Sequence, residues 1–367
     1  EVTVGEDAKL DFVTGTLATL KISGKVGDVD LDKGNVEVKD EDAKVGNIHT
    51  EEDDSDVTID AEVSVGNIEA DAGTVTIDGA KAGDITTDGG EVVLKASDDD
   101  TVVSVGTVTA KIITFDPDDG QISATKLVSD TASSSDDDAT ITLSGDNVKI
   151  GAIDFNSYAT DLKTDEDGDG FQGTIPAPQN AIADGALIET NNEDDEMTVT
   201  GDLDIDGLTV DDEDSRLTLD GKASINTLDG SGTLYVAKDA LYIGESASGV
   251  KVKLTTSAVA AGEQIFTAAS DAVDEDDLDF YGFTVAKDEG KNTDTFKVDK
   301  LALAGLAANT TASKIALGYS ETLTASAYAP GASLPEGYSI EWDIEDNSGV
   351  FELTDNGDGT AKVAVVD

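Results

Sequence analysis

The chain has 367 residues, of which 79 are acidic and 23 basic, giving a formal net charge of -56. That charge makes nucleic acid and anionic membrane surfaces poor partners and favours divalent cations, basic surfaces or neutral polymers. Cysteine is absent and His49 is the only histidine, which excludes disulfides, thiolate chemistry and multi-histidine zinc sites.

The acids are spread along the chain in turn-sized clusters such as Asp98-Asp99-Asp100, Asp136-Asp137-Asp138 and Asp211-Asp212-Glu213-Asp214. Apolar residues still make up 38% and sit at regular positions, unlike those of a solvated acidic tail. No stretch has the apolar length of a membrane-spanning helix. The chain begins at Glu1 rather than Met, and we expect a processed segment of a secreted, cell-surface or cell-wall protein.

Residues 1–153 read as a repetitive β region. An apolar-Gly-polar-apolar core recurs as Val26-Gly27-Asp28-Val29, Val45-Gly46-Asn47-Ile48, Val65-Gly66-Asn67-Ile68, Ala82-Gly83-Asp84-Ile85, Val105-Gly106-Thr107-Val108 and Ile150-Gly151-Ala152-Ile153. Its glycines are 19, 20, 17, 23 and 45 residues apart, a drifting period near twenty that predicts stacked β-coils or a run of short strands. Before the third core, Val57, Ile59, Ala61, Val63 and Val65 alternate with polar residues, the pattern of a strand buried on one side. At Gly66-Asn67 the phase flips, which demands a corner, and Gly and Asn suit one because both tolerate positive φ. Val45, Ile48, Val65, Ile68, Ile85 and Val108 are therefore expected in the core.

Residues 154–196, with Pro176, Pro178 and three aromatics, read as an acidic insertion or loop region. Within it, Asp165-Glu166-Asp167-Gly168-Asp169-Gly170 opens like a calcium-binding EF-hand loop, with Asp165, Asp167 and Asp169 as candidate metal ligands. Alternate residues of a tight loop can converge on one ion. The match ends at Pro176, where that loop needs a bidentate Glu. A solvated acidic turn is the plain alternative.

A second β region spans 197–300, with strands expected to open at Met197, Arg216 and Thr233. Its alanine-rich stretch 255–272 is the one place where a helix is plausible, weakened by Gly262. Pairs such as Thr74 and Thr76, Thr107 and Thr109, and Thr198 and Thr200 would make a hydroxyl-rich face on a solenoid, although outward threonines are ordinary in strands. Nothing in the chain assembles a nucleophile, a phosphate cradle or a cofactor pocket. Carboxylate pairs are too abundant to single out an acid–base couple.

From about residue 312 the chain reads Ile315-Ala316-Leu317-Gly318-Tyr319-Ser320-Glu321-Thr322-Leu323-Thr324-Ala325, then Ile340-Glu341-Trp342-Asp343 and Gly357-Asp358-Gly359-Thr360-Ala361-Lys362-Val363. This resembles a bacterial immunoglobulin-like domain of the kind found on S-layer proteins and adhesins. The resemblance covers only residues 312–367, and the domain would be incomplete. It implies a β-sandwich with Trp342 in its core beside Ile340 and Leu323, and a structural role at the cell surface. The overall expectation is an all-β chain: a solenoid-like region followed by an immunoglobulin-like sandwich. Its expected role is non-enzymatic, as a self-assembling subunit of an S-layer or similar array stabilised by calcium. Cell-wall or surface polymers are further candidate partners. The alternative is a filament subunit or adhesin stalk assembled by β-strand addition through Glu1-Val2-Thr3-Val4. Asn309-Thr310-Thr311 is a glycosylation sequon if the chain is secreted.

Overall fold

The structure is a computed structural model that describes residues 1–52, 55–60, 62–118, 120–130, 138–156, 159–166, 170–181, 185–255, 259–301, 307–308, 320–326, 342, 350–356 and 360–365. Among the described residues every regular element is a strand. They wind a β-solenoid of about 12 turns. The long strand Lys25–Val38 shows how one coil is built. Its Val26 pairs with Val45, its Val29 to Leu31 with Ile48 to Thr50, and its Val36 to Val38 with Val57 to Ile59, all in parallel. One coil thus offers three short ladder segments to the next, and the drifting repeat length is absorbed between them.

The inner side of one ladder is an unbroken column. Val36, Val57, Val75, Val92, Ile113, Ile141, Leu162, Ile188, Leu208 and Leu228 stack rung on rung and are fully buried. Each such side chain contributes about 1.5–3 kcal/mol when removed from water. β-branched residues suit this column because they pack well on a pleated surface. The outer positions between them are polar apart from Val93, so the period-2 alternation of the sequence becomes inside and outside. Val45, Ile48, Val65, Ile68, Ile85 and Val108 are all buried, as the repeat predicts.

The corner within each repeat is built differently from the expectation. Neither Gly66 nor Asn67 has a positive φ. Instead the polar residue of one coil reaches up to the next coil's backbone. Asp28 Oδ1 accepts the Asn47 N–H at 2.9 Å, Asn47 Oδ1 that of Asn67 at 2.9 Å, Asn67 Oδ1 that of Asp84 at 3.0 Å, and Asp84 Oδ1 that of Thr107 at 2.7 Å. Each carboxylate or amide oxygen lies over the glycine above it. A Cβ on Gly66 would stand 2.5 Å from Asn47 Oδ1 and 2.8 Å from the Gly46 carbonyl oxygen. Glycine is needed here for close approach, not for φ.

The stretch 154–196, expected as a loop insertion, carries strands of the ladder. Thr160–Thr164 and Leu187–Thr190 continue the inner column, while Gln172–Pro176 starts a six-stranded parallel sheet through Glu196–Thr200, Arg216–Asp220, Thr233–Val236 and Lys251–Leu254 to Asp279–Phe280. Proline is tolerated at residue 176 because it sits at the end of its strand. Among the described residues of 255–272 no helix forms. Residues 256–258 lie outside the described ones, and Gln264–Ala269 is a strand, its Ile265, Phe266 and Ala268 buried against the end of the solenoid. Tertiary burial overrides the helical preference of alanine there.

The ladder changes character after this strand. Gln264–Ala269 pairs in parallel with Leu241–Ala247 on one side and antiparallel with Thr293–Leu301 on the other. Thr293–Leu301 in turn pairs antiparallel with Phe283–Asp288. Further along, the described strands Ala307–Ala308, Ser320–Ser326, Phe351–Asp355 and Thr360–Val365 form a small antiparallel sheet. Trp342 is half-buried and its backbone N–H donates to Asp355 Oδ2 at 3.3 Å. Ile340 lies outside the described residues, as does the side chain of Leu323.

Candidate functional site

Three of the acidic clusters occupy turns whose first residue has a structural task. In Asp40-Glu41-Asp42-Ala43 the Asp40 carboxylate accepts the Asp42 N–H at 3.0 Å and its carbonyl oxygen accepts the Ala43 N–H at 3.0 Å. Asn192-Glu193-Asp194-Asp195 repeats this at 3.0 and 3.1 Å, and Asp212-Glu213-Asp214-Ser215 at 2.9 and 3.1 Å. Asp and Asn favour such turns because their side chains reach the backbone two residues on. The middle residues Glu41, Asp42, Glu193, Asp194, Glu213 and Asp214 are left exposed. Turn chemistry explains why these three clusters start with Asp or Asn, and their outward members add to the surface charge.

Five of the positive charges pair with acids of a neighbouring coil. Lys21 pairs with Glu1 at 3.0 Å, Lys33 with Glu52 at 2.7 Å, Lys95 with Asp116 at 3.1 Å, Lys126 with Asp154 at 2.9 Å and Arg216 with Glu196 at 2.5 Å. Acids still stack on acids. Asp60 and Asp78 are ladder neighbours. At a rung spacing of about 4.8 Å two such charges repel by about 0.9 kcal/mol in water. Asp161 and Glu189 are both pushed up from the usual carboxylate range. Burial is the larger cause in each, with repulsion from Asp138 on Asp161 and from Asp161 on Glu189.

Of the candidate calcium ligands, Asp167 and Asp169 lie outside the described residues. Asp165 follows the strand Thr160–Thr164, and its N–H donates to the Leu143 carbonyl at 3.0 Å. Its carbonyl oxygen accepts from Asn192 Nδ2 at 3.4 Å. The base of this loop is closed by a residue that motif reasoning misses. Asp195 is fully buried and accepts Thr164 Oγ1 at 2.5 Å from one side of the loop and the Phe171 N–H at 2.7 Å from the other. It also accepts the Asn192 N–H at 2.9 Å. Burial pushes its carboxyl above the usual range, against the pull of these donors. The signal for it was present: Asp195 holds the turn position that Ser215 holds one coil later, and Ser215 is also buried, 3.2 Å from Thr190 Oγ1. Among the described residues no group of three or more acidic or histidine side chains is arranged to hold a metal ion.

The threonine pairs do face outward but make no regular lattice. One outer column runs Thr58, Thr76, Val93, Thr114, Thr142 and then Lys163. His49 is a surface residue paired through Nδ1 with Asp30 Oδ1 at 2.9 Å.

The first coil is open. The strand Val2–Val4 covers only Leu20 to Ile22 of the strand Lys9–Ile22. Residues 9–18 pair with the next coil alone among the described residues, and Leu10 and Phe12 are 40% and 53% exposed. The strand expected to reach a neighbouring chain, Glu1 to Val4, pairs on one side with Leu20 to Ile22 of its own chain, and like residues 9–18 it has no second pairing partner among the described residues. Comparison with protein-family models, with curated proteins and with solved structures finds no match to this chain.

Proposed function

We propose that the chain is a structural protein of the cell surface, a non-enzymatic subunit of an S-layer or similar self-assembling array, stabilised by calcium. The observation that carries this reading is the open first coil, where an unpaired edge and the exposed Leu10 and Phe12 stand at one end of a stiff rod. Edges of this kind pair with other chains unless they are covered. Calcium enters through the surface carboxylates. Each bound ion would cancel repulsion between stacked acids, and extracellular oxygen-rich sites hold calcium at about 10⁻⁴ to 10⁻³ M. Asp165, Asp167 and Asp169 are the first place to look for such an ion. The resemblance of residues 312–367 to a bacterial immunoglobulin-like domain supports the surface location, with Trp342 as its anchor.

The same open edge also favours a second form of assembly, in which rods join end to end into a filament or stalk. The test is electron microscopy and sedimentation of protein purified without chelator, in calcium, in chelator and in sodium at matched ionic strength. Sheets in calcium support an array and fibres support a filament. A monomer under every condition contradicts both, and equal behaviour in calcium and sodium reduces the cation effect to screening. Changing Asp167 and Asp169 to Asn should remove a calcium-specific gain.

A further inference from the structure

The six-stranded sheet ends in a cleft. Its floor is the outer face of Arg216–Asp220, Thr233–Val236 and Lys251–Leu254. Its far wall is residues 279–281, fixed to the last full rung by the Asp279 N–H on the Val250 carbonyl at 3.2 Å and the Tyr281 N–H on the Val252 carbonyl at 3.0 Å. Phe280 anchors this wall by stacking on Phe266, 5.7 Å between ring centres. The cleft holds about 420 Å³ and its lining includes Arg216, Tyr235, Lys251, Lys253, Phe280 and Tyr281. A volume of that size falls within the range of about 300–1,000 Å³ typical of small-molecule sites.

Two features set it apart from the rest of the surface. The first is aromatic. The Lys253 ammonium lies 5.2 Å from the ring centre of Tyr235 and 4.7 Å from that of Tyr281, so one cation links two rings. Tyr281 is 37% exposed. The second is charge. Arg216, the only arginine of the chain, joins Lys251 and Lys253 here, opposite the acids Glu213, Asp214 and Asp279. On a molecule of net charge -56 this is a locally balanced patch.

We propose that this cleft binds a short segment of a neutral glycan. A polyanion would have to approach through the field of the whole chain, and a free cation has the acidic turns to choose from. A neutral sugar meets neither difficulty. Its ring presents an apolar face, which tyrosine can cover, and an edge of hydroxyls, which both donate and accept. Paired cationic donors and carboxylate acceptors around an aromatic wall match that edge. The site is independent of the assembly reading, since it lies at the opposite end of the solenoid from the open coil.

The experiment is isothermal titration of the full chain with cellohexaose, maltohexaose, mannohexaose and chitohexaose, with polygalacturonate as the anionic probe. At least one neutral hexasaccharide should bind at millimolar affinity or better. Tyr281→Ala should weaken that binding at least tenfold while circular dichroism and thermal unfolding stay those of the parent. Tyr235→Phe, which keeps the ring, should retain most of it. Absence of binding by all four, binding of polygalacturonate alone, or full binding by a folded Tyr281→Ala chain would overturn the proposal.

Discussion

The two ends of the solenoid solve the same problem in opposite ways. A stack of β-coils buries its middle but leaves an apolar face and a row of backbone groups at each terminus. At the C-terminal end the parallel ladder gives way to the antiparallel strands Gln264–Ala269, Thr293–Leu301 and Phe283–Asp288. Phe266 and Phe296 stack 4.2 Å apart beneath them, with Phe280 and Phe283 at 5.2 Å alongside. Asp294, 2% exposed, accepts the Gly290 N–H at 3.0 Å and the Asp271 N–H at 3.1 Å and meets Lys287 at 3.2 Å. The backbone donors, Gly290 first, hold Asp294 below the usual carboxylate range. Burial works against the charge of Lys287, yet its contacts with Asp294 and Asp274 still raise its pKa. At the N-terminal end the described residues supply no such cover, and Leu10 and Phe12 are exposed. Among the described residues one end carries antiparallel strands over its last rung, while at the other residues 9–18 pair on one side only.

Truncating a side chain at each end should break this symmetry most visibly. Phe296→Ala, at a fully buried stacked ring, should cost about 3–5 kcal/mol in denaturant unfolding. Phe12→Ala at the open end should change the monomer by less than about 0.5 kcal/mol and reduce self-association instead. Equal losses at the two positions would mean that both ends are capped.

The middle of the rod should respond like the closed end. Asp195→Ala strands the Phe171 and Asn192 N–H groups and the Thr164 hydroxyl, and should cost about 3 kcal/mol. Asp195→Asn should cost less. Because burial raises the Asp195 pKa, the native state binds its proton more tightly than the unfolded chain does. Stability therefore falls as pH rises from about 3.9 through the raised value, and Asp195→Asn should remove that part of the slope.

A smaller effect is expected at the corner ladder. Gly66→Ala places a methyl against Asn47 Oδ1 and should cost about 2 kcal/mol by overpacking. Smallest is His49. Its hydrogen bond to Asp30 raises its pKa although burial opposes this. The protonated pair stabilises the fold fully below about pH 6.5, and the gain is lost as pH rises through the raised value. With the side chains 34% and 48% exposed the gain should be no more than about 0.5 kcal/mol. A thermal-unfolding pH series with His49→Gln checks it.

The coil was legible because its signals are local and repeated. Alternation marks the inward residues, and the recurring glycine marks a corner shared by the coils from Gly27 to Gly106. The physical reason for that glycine was not legible, since it depends on an oxygen supplied about twenty residues earlier. Asp195 is harder to see than its turn position suggests, because two of its three donors, the Thr164 hydroxyl and the Phe171 N–H, come from other stretches of chain. Residues 154–196 look irregular in sequence because Pro176 and Pro178 interrupt the alternation, yet Leu162 and Ile188 keep their places in the buried column. The alanine-rich stretch misled because helix propensity is weak against an end of the core that needs covering. The cleft beside Tyr281 was hidden altogether, as its walls come from strands that only stacking brings together.

Hydrogen exchange across the chain, read by mass spectrometry in dilute and in assembled protein, tests the difference between the ends most directly. Amides of residues 9–18 should exchange fast in the monomer and become protected on assembly, while those of Gln264–Ala269 and Thr293–Leu301 are slow in both states. Residues 9–18 already protected in the monomer, or new protection appearing at the C-terminal strands instead, would contradict the account.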